Sequence, residues 1–280
     1  MLRRHLLTVM VLSTGACEDN LTFLNENQSS SSLPCLPNLD GTIESHEMAP
    51  SLDQVASYIK TASGAENGDP VDVTGYVDDS GRRVWDWSSR DDGDTAAQLI
   101  ARPLYDQWYV KHFPEGSFAL PADLNDSLHG IYSHDETALK LYGIASAEES
   151  PAQGQTLMVY EEPILFFPFP FHVGKSWTQT GIVRNGTLMG LTPWSQDDLY
   201  EVEVDAAGEL RLPDFTFTQA LRVHTQVTIQ PLTGTDDGYI QHQHSFVFEC
   251  FGEVARASSL LATTADEDPG AEFERAAEIR

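Results

Sequence analysis

The sequence predicts a mainly β fold, in which one antiparallel, curved sheet forms a barrel or half-barrel within a single domain. Apolar and polar residues alternate along several short segments, most regularly at 221–229, where Leu221 and Val223 share one face and Arg222 and His224 the other. Turn-forming sequences such as DDSG and TGTDDG separate these segments. The alternation is one-sided, whereas the strands of a parallel α/β sheet read as continuous apolar runs.

The individual elements follow in chain order. The segments 71–77 and 84–88 are expected to form a hairpin around the DDSG turn. Further strands are expected at 104–110, 129–134, 138–145, 156–167, 176–184, 200–205, 221–229 and 239–250. Helices are expected only at 95–101 and in parts of 50–60. The acidic stretch 262–274 is expected to be a mobile loop near the end of the domain.

The chain is strongly acidic. Its 280 residues hold 16 Lys and Arg against 43 Asp and Glu, for a net charge of −27. Nucleic acids and anionic membrane surfaces are bound by clustered cations, so we expect neither as a direct partner. The excess of acid is also explained by solubility alone, because a net charge far from zero keeps a protein hydrated and monomeric.

The first residues read as a secretory signal peptide, predicted at 1–16. Cationic residues at 3–5 precede a short apolar run at 6–12, and small residues follow at 13–16. The apolar run is far shorter than the roughly 20 residues that a spanning helix needs. Fold analysis therefore starts after this segment.

The sequence TGAC at 14–17 resembles the lipobox of bacterial envelope lipoproteins, with Thr14 at the position where that family prefers Leu. The resemblance implies lipidation of Cys17 and cleavage of the signal before it. The polar stretch up to residue 34 would then be a flexible tether, and the β domain would cover 35–280. A plain signal peptide followed by a nearby cysteine is the alternative.

The resemblance also implies a location. It places the protein in the Gram-negative cell envelope, held to the membrane by its lipid. Glu18 follows the cysteine. In the sorting scheme of that family, Asp at this position retains a lipoprotein in the inner membrane, so Glu18 favours the outer membrane. Either the periplasmic or the surface face remains open.

The chain has three cysteines, Cys17, Cys35 and Cys250. An odd count in a secreted protein needs an explanation, and lipidation of Cys17 provides one. The remaining two are then expected to form a disulfide in an oxidising compartment. Two unpaired buried thiols are the alternative.

Two patterns suggest a metal. Around Gly41, the residues Asn38, Asp40 and Glu47 match positions of an EF-hand calcium loop, although Leu36 stands where the first ligand should be. An acidic turn without metal explains the same residues. His242 and His244, two apart on a strand, share a face and could ligate one transition metal. The third ligand would be His129, His134 or Asp135, and hydrogen-bonded histidines without a metal are the alternative.

An aromatic segment is the main candidate for binding an apolar ligand. Pro168 and Pro170 lie within it and argue against a central strand. We expect its rings to form the lip of a cavity for a lipid, a sterol or an apolar peptide. The alternative is that the rings close one end of the β core. The candidate ligand-binding residues are Phe166, Phe169, Phe171 and Trp177.

No catalytic motif is present in the sequence. It contains no G-x-S-x-G elbow, no H-E-x-x-H pair, no P-loop and no dinucleotide-binding fingerprint. We therefore expect a non-enzymatic binding or structural role, with an apolar ligand or an envelope protein as partner and no cofactor. The alternative is a metal-dependent hydrolase or metal-binding protein that uses the strand histidines.

Overall fold

The computed structural model describes residues 35–61, 71–90, 94–123, 125–234, 238–259, 261–263 and 273–279. Contacts within the chain make Cys35–Arg280 one compact unit. The predicted signal peptide, Cys17 and the tether lie outside the described residues, as does most of the predicted mobile stretch 262–274. No helix in the described part of the chain is long and apolar enough to cross a membrane.

The fold is mainly β, as predicted. The strands are β1 (Thr42–Ile43), β2 (Val55–Thr61), β3 (Tyr76–Val77), β4 (Arg83–Asp86), β5 (Asp94–Ile100), β6 (Arg102–Pro103), β7 (Phe118–Pro121), β8 (Leu128–His134), β9 (Ala138–Ser146), β10 (Leu157–Pro168), β11 (Phe171–His172), β12 (Ser176–Leu188), β13 (Leu191–Arg211), β14 (Thr216–Pro231), β15 (Tyr239–Phe248), β16 (Gly252–Ser259), β17 (Ala262–Thr263) and β18 (Phe273–Ile279). Three short 3₁₀ helices cover Ser45–Met48, Leu104–Asp106 and Val110–His112.

One sheet holds 16 of the described strands and curls into an antiparallel half-barrel. Its order is β5-β2-β18-β16-β15-β14-β13-β12-β10-β9-β8-β7-β6, so most neighbours are also neighbours in sequence. The two edges are consecutive in the chain, because Ala101 alone separates β5 from β6. The chain therefore leaves one edge and continues as the other, which requires the sheet to curl.

The two faces of this sheet carry different cores. Along β14, Leu221 and Val223 belong to the inner core, which is the largest apolar cluster. Ala220 belongs instead to an outer core on the opposite face. Arg222 projects to that same outer side, where it lies over the Trp85 ring. The predicted alternation at 221–229 is confirmed. The side chains of β14 pack into a core on each face of the sheet, and neither face is simply exposed to solvent.

Residues 71–90, here called the outer flap, cover the outer face. Trp85 and Trp87 both pack edge-on against Phe246, each with 4.9 Å between ring centroids. The predicted hairpin around the DDSG turn is present in shorter form, as β3 and β4. Gly75 has φ +65° and a Cβ there would lie 2.4 Å from the Val84 carbonyl oxygen, so the flap's close return requires glycine.

Three predictions of local structure were wrong. The segments 95–101 and 50–60 were expected to contain helices, but they contain β5 and β2, which pair with each other as antiparallel strands. Their alanines and leucines tolerate both states, and pairing with the sheet overrides helix propensity. The strand expected at 104–110 is replaced by two 3₁₀ turns, which begin after Pro103 and bury Tyr109 and Phe113 in a third apolar cluster.

The proline prediction was also wrong in part. β10 pairs with β9 as far as Pro168, opposite Ala138, although it is an interior strand. Pro168 is accommodated because it is the last residue of the strand, and irregular register between Leu165 and Phe167 precedes it. Pro170 lies beyond the strand end.

Residues 35–54, here called the strap, cross one end of the half-barrel. Ile43 pairs with Phe171, and the Ser45 hydroxyl donates to the Asp135 carbonyl oxygen at 2.8 Å. The backbone N–H of Leu39 donates to the Glu249 carboxylate at 2.6 Å. These partners follow β10, β8 and β15, and alternate turns of an antiparallel meander lie at the same end. The strap therefore closes that end.

Candidate ligand cavity

A cavity of about 390 Å³ lies beneath the strap, where the two edges of the half-barrel approach. Its volume is within the range of roughly 300–1,000 Å³ that is typical of small-molecule sites. The strap contributes Met48 and Pro50, and the turn after β15 contributes Cys250. Its apolar wall includes Leu99, Phe118, Leu120, Leu139, Phe166 and Phe167.

Aromatic rings form a continuous layer on one side of this cavity. Tyr132 stacks on Phe118 with 5.9 Å between ring centroids and meets Phe166 edge-on at 5.6 Å. Phe166 in turn meets Phe167 edge-on at 4.9 Å. Such contacts fix the ring positions, so the apolar wall is formed before any ligand enters.

The four predicted ligand-binding aromatics separate into two groups. Phe166 lines the cavity, whereas Phe169, Phe171 and Trp177 do not. Phe171 is fully buried and stacks between Phe167 and Phe169. The indole N–H of Trp177 donates to the Leu165 carbonyl oxygen at 3.0 Å. The position of Phe169 and Phe171 matches the alternative reading, in which these rings close the end of the core.

The polar end of the cavity holds an ion pair that the sequence analysis missed. The Arg256 guanidinium donates two hydrogen bonds to the Glu253 carboxylate, from Nε at 2.7 Å and from Nη2 at 2.5 Å. Burial lowers the pKa of Arg256, but the charge and hydrogen bonds of Glu253, together with Tyr132 and Tyr58, raise it, and the net direction is upward. The side chain is nevertheless 30% accessible, because it faces the cavity.

A β-bulge explains why this pair escaped detection. Residues three apart on a regular strand point to opposite faces, so Glu253 and Arg256 do not read as neighbours. In the structure, Val247 pairs with Glu253 and Phe246 with Ala255, so Val254 is an extra residue. The bulge shifts the phase of the strand and brings both side chains to the same face. No sequence signal marks this bulge.

Tyr132 places a hydroxyl at the same end. Burial raises its pKa to about 12, while Arg256 lowers it and Glu253 raises it, so the hydroxyl is within electrostatic reach of the ion pair. Among the described residues, the Tyr132 hydroxyl makes no hydrogen bond. Because Tyr132 lines the cavity, its hydroxyl is a candidate donor to a ligand.

The residues of the predicted calcium loop do not converge. The Asn38 and Asp40 side chains accept hydrogen bonds from the backbone N–H groups of Asp40 and Thr42, each at 2.8 Å. Glu47 is buried and accepts from the backbone N–H of Glu44 at 2.8 Å. Burial raises the pKa of Glu47, and the Glu44 hydrogen bond opposes that shift. These contacts hold the strap in shape, and calcium binding stays a prediction.

A third histidine, His224, lies beside His242 and His244, and the sequence analysis did not predict it as their neighbour. His224 of β14 lies opposite His244, and its Nε2 is 3.2 Å from Nδ1 of His242. The rings stack, with 4.6 Å between the His224 and His244 centroids. Ring nitrogens direct their lone pairs within the ring plane, so parallel rings do not aim them at one point. The register of 221–229 with 239–250 was the missing signal.

The proposed third ligands lie elsewhere. His129 is buried and bonds the Tyr109 hydroxyl at 2.7 Å, and His134 and Asp135 contact the strap through Ser45. No group of three or more His, Cys, Asp or Glu within the described ranges has the arrangement of a metal site. Binding of a transition metal by His242 and His244 stays a prediction.

The predicted disulfide is confirmed. Cys35 and Cys250 are bonded, with 5.4 Å between their Cα atoms and 215 residues between them in sequence. The bond fastens the start of the strap to the turn after β15. Because Cys250 also lines the cavity, the covalent link lies at the edge of the candidate site.

Comparison of the chain with family models, with curated proteins and with solved structures finds no match.

Proposed function

We propose that this protein is a non-enzymatic, lipid-anchored binding protein of the bacterial cell envelope, whose half-barrel holds an apolar ligand beneath the strap. The observation that carries the binding role is the cavity of about 390 Å³, with its wall of fixed aromatic and aliphatic side chains. A void of that size is costly unless a ligand or water fills it, because its lining loses packing contacts.

A cavity-filling substitution tests the binding role. Leu99 lines the cavity, whereas Gln98, the preceding residue of β5, is exposed. We expect the unmodified protein and the matched control Gln98→Trp to bind the neutral fluorescent probe N-phenyl-1-naphthylamine at one site per chain. We expect Leu99→Trp to weaken that binding by ~10-fold or more, since the indole occupies the ligand's space. Equal probe binding by all three proteins would refute a ligand site in this cavity.

The anchor is tested separately through Cys17, which the lipobox resemblance marks. We expect Cys17→Ala to remove the acyl mass from the protein and to release it from the membrane fraction. The measurements are intact mass and membrane fractionation of cells that express each form. Unchanged fractionation and mass would contradict the anchor without affecting the ligand site.

A further inference from the structure

We propose that the natural ligand is an uncharged acyl ester or amide, such as a monoacylglycerol, whose carbonyl oxygen accepts hydrogen bonds from Arg256 and Tyr132 at the polar end of the cavity. This inference rests on the proposed binding function and names its ligand class. It follows from three features of the cavity: its unused donors, its charge balance and its shape.

The unused donors require an acceptor. Arg256 has five N–H groups, of which two are bound by Glu253. Within the described part of the chain, the other three make no protein hydrogen bond. The Tyr132 hydroxyl adds a further donor at the same end. A carbonyl oxygen can accept from both groups, whereas an ammonium or a plain hydrocarbon has no acceptor to offer.

The charge balance disfavours an anionic ligand. Of the described residues that line the cavity, only Glu47, Glu253 and Arg256 have carboxyl or basic side chains. Arg256 is already neutralised by Glu253 at hydrogen-bond distance. A carboxylate would add a negative charge beside Glu253, and that charge would have no cation of its own. A neutral ester satisfies the donors without adding charge.

The shape separates a polar end from an apolar wall. Arg256 and Glu253 lie on β16, beside Cys250 at the strap, whereas Leu99, Leu120 and Leu139 lie on β5, β7 and β9. An acyl chain against the apolar wall, with its carbonyl group towards Arg256, matches this division. The strap residues Ser51 and Gln54 also line the site and can hydrogen-bond a polar head.

A matched ligand series tests the class. Monolaurin, lauryl alcohol, laurate and laurylamine have the same alkyl length and differ in the head group. Each is titrated at pH 8, below its aggregation concentration, against the protein loaded with N-phenyl-1-naphthylamine. We expect monolaurin to displace the probe at concentrations ~10-fold lower than laurate or laurylamine, with lauryl alcohol between them. Equal displacement by all four, or preference for an ionic one, would overturn the inference.

A charge change at Glu253 sharpens the test. Glu253→Gln keeps the shape but leaves Arg256 as an uncompensated cation, so we expect the preference to move from monolaurin to laurate. The matched control is Asp205→Asn. It removes the carboxylate that accepts two hydrogen bonds from Arg222, a similar ion pair on the outer face. It should leave the preference unchanged. Retained preference for monolaurin in Glu253→Gln would contradict the role of the ion pair.

The two levels of the proposal fail differently. If the probe does not bind the unmodified protein, or binds Leu99→Trp equally well, the cavity is not a ligand site and both proposals fall. If the probe binds at the cavity and the four lauryl compounds compete equally, only the assignment of the ligand class falls.

Discussion

Two arginines of this sheet each donate two hydrogen bonds to one carboxylate, an arrangement here called a fork, but one lies on the outer face and the other on the inner face. On the outer face, Arg222 donates to Asp205 from Nε at 2.9 Å and from Nη2 at 2.7 Å. It also donates to the Val73 carbonyl oxygen and lies over the Trp85 ring. On the inner face, Arg256 makes two hydrogen bonds to Glu253 and no other to the described residues, and the rest of its guanidinium faces the cavity.

The difference separates a structural site from a binding site. The outer flap covers Arg222, so packing and hydrogen bonds occupy most of its guanidinium. The strap closes the end of the half-barrel but leaves a void in front of Arg256. Substitutions on the two faces should therefore have different consequences. Substitutions on the outer face should reduce stability, and substitutions on the inner face should alter what the protein binds.

The largest effect is expected from removal of the outer aromatic anchor. Trp85 is fully buried against Phe246, so Trp85→Ala should lower the free energy of unfolding by about 4 kcal/mol. The inner counterpart, Phe166→Ala, enlarges a cavity that already exists and should cost about 1–2 kcal/mol. Urea denaturation measures both. Equal losses would contradict the distinction between a packed outer face and an open inner one.

The disulfide provides the next largest effect. It closes a loop of 215 residues, and its removal in Cys35→Ser/Cys250→Ser should lower the free energy of unfolding by about 3 kcal/mol. Because it fastens the strap, probe binding in the inner cavity should weaken as well. The unmodified protein treated with dithiothreitol is the control and should behave alike. Unchanged probe affinity would show that the strap stays closed without the bond.

The sequence was sufficient for the half-barrel because its main signal is local. Alternation along β14 and the turns between strands specify an antiparallel meander without knowledge of the partners. The disulfide followed from the cysteine count. The helices expected at β2 and β5 failed because helix propensity is only a weak guide, and the pairing of β2 with distant β18 and with β5 decides the state.

The candidate site was harder to predict because it depends on register. Phe166 was found from composition, but no local pattern distinguishes it from Phe171, which faces the solid part of the core. Arg256 and Glu253 meet only through the bulge at Val254. His224 joins the other histidines only through the pairing of β14 with β15. Which side chains become neighbours depends on the register between paired strands, and the sequence of one strand does not specify that register.

Acid should destabilise the outer face through its stacked histidines. The pKa of His244 is lowered to about 3, mainly by burial and further by the neighbouring His224 and Arg222. The unfolded chain binds this proton near pH 6.5, so the stability contribution is complete above that pH and is lost as the pH falls towards 3. From pH 7 to pH 5, we expect a loss of about 2 kcal/mol from this residue.

Substitution checks that assignment. His244→Gln carries no titrating group at this position and should make the decrease in unfolding free energy between pH 7 and pH 5 smaller. His172→Gln is the matched control, because His172 is exposed, and it should leave the decrease unchanged. A decrease of the same size in His244→Gln and in the unmodified protein would contradict the prediction.

The smallest effect compares the two forks directly. Asp205→Asn leaves Arg222 covered by the flap and unpaired, and should cost about 2 kcal/mol of unfolding free energy. Glu253→Gln leaves Arg256 facing a cavity where water can solvate it, and should cost about 1 kcal/mol. Urea denaturation with unchanged slopes tests both. If Glu253→Gln is the more costly change, the ion pair stabilises the fold rather than the bound ligand. A guanidinium whose role is ligand binding should contribute little to the free energy of unfolding, even when its partner becomes neutral.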